Sequence, residues 1–201
     1  MTINRIDEMI EKAVFSPSVE DKESARKEIR DLASSQGIYL ASIQGLYEAA
    51  ARGEYSNMTV PAINIRGITY QVARTIFKTA QKLKAGAFIF EIARTEMVYT
   101  DQPPQEYVGS ILAAAIKEGH TGPVFVQGDH FQFNKKKFDA DRAAEMKTLY
   151  DGTQLAIDSG FLNIDIDSST LVVLDRPTLD DEQKDNYTVA ADMTKFIRNI
   201  E

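Results

Sequence analysis

From residue 58 onward the chain repeats one unit four times: a short apolar run, then an amphipathic stretch. The runs Met58–Ile65 (MTVPAINI), Ala85–Ile92 (AGAFIFEI), Pro123–Gln127 (PVFVQ) and Phe161–Ile166 (FLNIDI) read as strands. Between and after them, Tyr70–Lys84, Pro104–Gly119, Asp141–Gly160 and Leu179–Ile200 carry apolar residues at helical spacing. Strands that alternate with helices long enough to cross back over a sheet are expected to be parallel and to lie in chain order. The punctuation agrees. Pro103 and Pro104 open the second helix, Gly160 closes the third, and Thr178 is placed to cap the fourth. A closed (β/α)8 barrel takes about 250 residues. Two α/β architectures fit the pattern: a complete four-stranded domain, or the first four βα units of a TIM-type barrel.

Residues 1–57 read differently, as helical throughout. Ile6, Met9, Ile10 and Ala13 recur at helical spacing. A second helix follows Ser16 and Ser18, with a solvated face of Glu20, Lys22, Arg26, Lys27 and Arg30. A third carries Leu40, Ile43, Leu46, Tyr47 and Ala50, and Gly37 and Gly53 are placed to end the second and third. The expected organisation is a helical segment, 1–57, ahead of a βα region, 58–201.

Composition narrows the function classes. Thirty acidic against 23 basic residues give a net charge of −7, which argues against nucleic acid or an anionic membrane surface as the partner. No apolar run reaches the length of a membrane span. The amino terminus is charged and lacks the apolar stretch of a secretion signal, so the cytoplasm is the expected location. With no Cys, a transition-metal site must be built from His, Asp and Glu. There are two His. His120 precedes the third strand, at the amino end of the expected sheet, and reads as a surface-loop residue. His130 follows it.

Polar residues collect where the strands end, which is where α/β folds place their chemistry. Strand one delivers Asn64 and Arg66; strand two delivers Glu91, Arg94, Thr95 and Glu96. Asp129 and His130 follow strand three, a proton-transfer group beside a metal ligand. Strand four ends in Asp165, Asp167, Ser168 and Ser169. The alternation of Asp165 and Asp167 with Ile164 and Ile166 puts both carboxylates on one face. A loop-capping role is the competing reading for each.

Taken together, these motifs resemble the class II, metal-dependent fructose/tagatose-bisphosphate aldolases. PAIN at Pro61–Asn64 is similar to the family's first-strand motif, DH at Asp129–His130 to its third, and IDIDSS at Ile164–Ser169 to its fourth. The resemblance covers about residues 58–201 and implies a (β/α)8 barrel of which the first four βα units are present. It implies that Asn64 contacts substrate, that Asp129 is the catalytic proton donor, and that His130 and Asp167 belong to the metal centre. It further implies Zn2+ or another divalent metal as cofactor, a phosphorylated sugar as substrate, and a homo-oligomer for the full-length protein. The chain departs from the family at Ala93, where Ser is usual, and at Gln127–Gly128, which replace a His-Leu or His-Thr pair. The family's remaining ligands and phosphate loops come from later strands, so the 201-residue chain is expected to be inactive alone. The alternative aldolase strategy needs a desolvated Lys, and no Lys falls on an expected strand. A second function class, a non-catalytic aldolase-like subunit acting through its interfaces, fits the same fold. A flavodoxin-like binding domain is disfavoured, since Asn64–Gly67 is not a glycine-rich phosphate loop.

Overall fold

A computed structural model describes residues 2–200, with side chains from Arg5 onward. Helices α1 (Thr2–Phe15) and α2 (Val19–Ser35) come first, then strand β1 (Ile38–Leu40) and helix α3 (Gln44–Ala51). The βα region follows as β2 (Ala62–Asn64), α4 (Thr69–Leu83), β3 (Ile89–Ala93), α5 (Arg94–Tyr99), α6 (Pro104–Lys117), β4 (Gly122–Gln132), α7 (Lys135–Ala140), α8 (Arg142–Ser159), β5 (Asn163–Asp167) and α9 (Leu179–Arg198). A short 3-10 turn, Ser169–Leu171, follows β5.

All strand pairings are parallel. The four strands expected from the sequence lie side by side in chain order, β2-β3-β4-β5. Consecutive parallel strands joined by crossovers of one hand must carry their helices on one face. Accordingly α4, α6 and α8 pack in a row, and α9 lies against α8 and β5. Strand β4 is the spine. Of its 11 residues, Phe125 to Asp129 pair with β3 along one edge, while β1 and then β5 share the other.

The first 57 residues are not helical throughout. Ile38–Leu40 form a strand whose partner is Gly122–Val124 of β4. Three residues are too few to display a two-residue period, and their strand character comes from the pairing, not from local preference. Gly37, at φ 74°, stops α2 just before it.

Packing divides the sheet by parity. Phe90 and Ile92 of β3 and Val124 and Val126 of β4 face the helices and are buried. Phe77 of α4 is wedged against them, with its ring centroid 5.2 Å from Phe90 and 5.7 Å from Phe88. His120 joins this cluster, 4.9 Å from Phe77, so it is half-buried rather than a free surface residue. Helix α6 is buried from Tyr107 to Ile116 because α1 and α2 cover the side turned away from the sheet. The Arg26 guanidinium fastens that outer layer. It donates to Glu106 at 2.9 Å and to the Ala13 carbonyl at 3.1 Å. Both partners of the ion pair are largely buried, and burial pushes the Glu106 carboxyl above its ordinary range despite Arg26 and Gln102 beside it. Side-chain caps start α2 at Ser18, α8 at Asp141 and α9 at Thr178.

Candidate functional site

The other face of the sheet carries the polar residues. The register aligns Asn64 with Glu91, Glu91 with Gln127, and Gln127 with Asn163, so one row of polar side chains runs across all four strands. Asp129 stands one repeat further along β4, opposite Ala93, and Asp165 one repeat further along β5. None of the crossover helices covers this row; its members are half-buried or exposed.

An uninterrupted strand would send Asp129 and His130 to opposite faces. A bulge prevents that. Gly128 pairs with Ile164 and Phe131 pairs with Ile166, so Asp129 and His130 together oppose the single residue Asp165. His130 takes up the extra length at φ 45°, a left-handed conformation rare for a residue with a Cβ and common where function fixes the backbone. Its amide donates to Asp165 Oδ2 at 3.1 Å, and its ring Nδ1 lies 2.9 Å from Asp129 Oδ2. One ligand atom from each of Asp129, His130 and Asp165 falls within 4.8 Å of the other two. The hydrogen bond and charge of Asp129 hold the imidazole above its ordinary pKa.

Oxygen and imidazole donors in this grouping could hold a borderline divalent cation. With Nδ1 turned to a carboxylate, Nε2 of His130 is the nitrogen left to ligate. A carboxylate on the far ring nitrogen is the usual way a metal-binding His is oriented. The ring is 60% exposed, so a ligand has access.

Of the other residues expected at the site, Asp167 shares the face but not the cluster. Its carboxylate accepts from Gln132 Nε2 at 2.5 Å and from the Ser169 amide and hydroxyl at 3.1 and 2.6 Å. Burial works against its charge, but these hydrogen bonds prevail and hold its pKa below the ordinary value. Asn64 is on the face too, two strands from Asp129, and its side chain is engaged. It donates to Glu96 at 2.7 Å and accepts from Arg66 at 3.1 Å. Glu96 also accepts from the Ala93 amide at 2.9 Å and pairs with Arg66 at 2.5 Å. Burial opposes the charge of Glu96, and this ring of donors overcomes it.

Two further carboxylates stand in or beside the cluster. Asp165 stands in the cluster where Asp167 was expected. Glu91, bonded to Gln127 at 3.2 Å, has its pKa raised, first by burial and then by the charge of Asp129. The alternation of IDID made both aspartates visible as a pair. Only the bulge register distinguishes which one meets His130.

Beside the cluster, a cavity of about 500 Å³ is lined by Ser42, Gln127, Asn163, Asp165 and residues of α8 and α9. No helix among the described residues is long and apolar enough to cross a membrane. No family model matches the chain, and no curated protein matches it.

Proposed function

We propose that these βα units belong to a (β/α)8 barrel performing metal-dependent aldol cleavage and condensation of a phosphorylated ketose, of the fructose- or tagatose-1,6-bisphosphate type. The observation that carries this reading is the bulge that turns Asp129, His130 and Asp165 toward one point at the carboxyl end of a parallel sheet. The barrel is supported by the chain-order strands, the helices on one face, and a polar face free of crossover helices.

In this reading His130 Nε2 and the Asp165 carboxylate hold the cation. Asp167, whose oxygens are taken by Gln132 and Ser169, secures the turn after β5 instead. A bound divalent cation supplies Lewis acidity, stabilising negative charge as it develops on a substrate oxygen. Asp129 orients the His130 ring through Nδ1 and exchanges the proton of the substrate hydroxyl whose C–C bond breaks. Glu91 and Gln127 offer hydrogen-bonding groups along the same row, suited to a polyhydroxyl chain.

The test is cleavage of each bisphosphate by the full-length protein with added zinc, followed by release of dihydroxyacetone phosphate. Asp129→Ala is expected to lower turnover at least a hundredfold even at zinc concentrations that restore full occupancy, and His130→Ala to lose the metal. Cleavage that survives chelation and is trapped by borohydride would establish a Schiff-base route and sink the proposal, as would complete inactivity of the zinc-loaded protein on both sugars.

A further inference from the structure

The bulge has to be held open by something, because a strand with regular alternation recovers better ladder pairing. At Gly128 the side of the sheet facing the helices is already filled. A Cβ built there would meet Phe131 Cζ at 2.9 Å and Ile164 Cδ1 at 3.0 Å. Cβ atoms do not approach other carbons so closely without displacement. Phe131 is fully buried, and Ile164 is Gly128's own partner on β5.

The parity of β4 explains the crowding. In a regular strand, residues 128 and 131 face opposite ways. The extra residue of the bulge brings them to the same face, and the Phe131 ring swings under the site a side chain at 128 would occupy. Ring and missing Cβ are two halves of one fit. Burial of the ring anchors the downstream arm of the bulge, and the glycine upstream gives the ring its space.

Resting on the reading of Asp129, His130 and Asp165 as a cation site, we infer that Gly128 and Phe131 are a positioning pair: they fix the bulge that turns Asp129 and His130 to one face, without touching the cation. Gly128 is not needed for its backbone freedom, since it does not have a left-handed φ. It is needed for the absence of a side chain. The departure from the aldolase pattern at Gly128 therefore has a local cause, the aromatic residue three positions on.

The test uses the full chain in two forms. In the metal-free protein, NMR of the His130 amide reports the bulge, because that N–H donates to the Asp165 carboxylate and should be shifted and slow to exchange. In the cobalt-titrated protein, affinity reports the site. Gly128→Ala is expected to abolish the amide signature and weaken Co2+ binding at least tenfold, with the far-ultraviolet circular dichroism unchanged. Gly128→Ala combined with Phe131→Leu, which removes the ring atoms in the way, is expected to restore the amide signature and to bring Co2+ affinity within about threefold of the parent. If Gly128→Ala alone fails to fold, recovery in the double variant still supports the pair. The inference is overturned if Gly128→Ala keeps the signature and the affinity, or if the folded double variant regains neither. A parent chain that shows the amide signature but binds no Co2+ would uphold the positioning pair and overturn the cation reading.

Discussion

The two faces of the sheet are built from the same strands, residue by residue in alternation, yet they obey different rules. Toward the helices stand Phe90, Ile92, Val124, Val126 and Phe131, all buried and apolar. Toward the open side stand Asn64, Glu91, Gln127, Asp129, Asn163, Asp165 and Asp167. The first face is where the apolar surface is removed from water. The second holds Glu91 where burial, and then the charge of Asp129, raise its pKa, an arrangement that costs stability at neutral pH. Apolar burial and polar clustering are thus segregated by the parity of the strand, and among the described residues the bulge in β4 is the one place where parity itself is altered.

That contrast breaks most visibly on the helix side. Phe90→Ala removes a fully buried ring from the Phe77 cluster and is expected to cost about 3–5 kcal/mol, read by urea denaturation. A loss under about 1 kcal/mol would mean the aromatic cluster is not the core. On the open side the largest expected effect, on the reading of Asp129, His130 and Asp165 as a cation site, concerns metal affinity and not the fold. A proton on His130 competes with a metal, and Asp129 favours that proton. Cobalt affinity is expected to be full at alkaline pH and to fall about tenfold per unit below the raised pKa of His130. The stability contributed by the Asp129–His130 pair runs the other way. It is present in full below the ordinary His pKa of about 6.5 and is lost as pH rises through the higher folded value. Calorimetric titration between pH 5 and 9 checks the first trend, and thermal melts of the metal-free chain check the second.

Smaller effects sharpen the same division. Asp167→Asn weakens the acceptors for Ser169 and Gln132 and is expected to cost about 1–2 kcal/mol at pH 7. Because the folded pKa of Asp167 is lowered, that contribution is present above the ordinary Asp value and disappears as pH falls through the folded one. An unchanged melting temperature would leave Asp167 no structural task. The smallest change is expected at Glu91. Its folded pKa is raised, so its charge is a burden at neutral pH, and Glu91→Gln should increase the melting temperature by about 1–3 °C while weakening cobalt binding. A fall in melting temperature would show that its hydrogen bond with Gln127 outweighs the repulsion.

Much of this division could be read before any coordinates. The four strands of the βα region, their order and parallel sense, and the crowding of polar groups at their ends followed from apolar runs separated by helical periods. The shared face of Asp165 and Asp167 followed from strict alternation. What alternation hides is its own interruption. Nothing in Gly128–Phe131 announces an extra residue, because the bulge is decided by which side chains fit under the helices, and so Asp165 rather than Asp167 meets His130. Strand β1 was hidden for a related reason: Ile38–Leu40 becomes a strand only because the first three residues of β4 lie free beside it. The short helices α5 and α7 are a single turn or so beyond strand ends and leave too little period to detect.

The sharing of one edge of β4 by β1 and β5 sets a timetable for synthesis. Where the two strands meet end to end, Asn163 accepts hydrogen bonds from Ser42 and from the amide of Ile43, partners 121 and 120 residues away along the chain. Nearby, Arg30 reaches the Ser159 carbonyl across 129 residues. At about 5–20 residues per second, the ribosome leaves the first three elements waiting several seconds to tens of seconds for these partners. Helices α1 and α2 can pair at once, but β1 cannot find its ladder until β4 has emerged, nor its junction until β5 has. Such late closure belongs to slow, high-contact-order folding, and it leaves the nascent β1 segment, with Tyr39 and Leu40, without its ladder until Gly122–Val124 of β4 have been made.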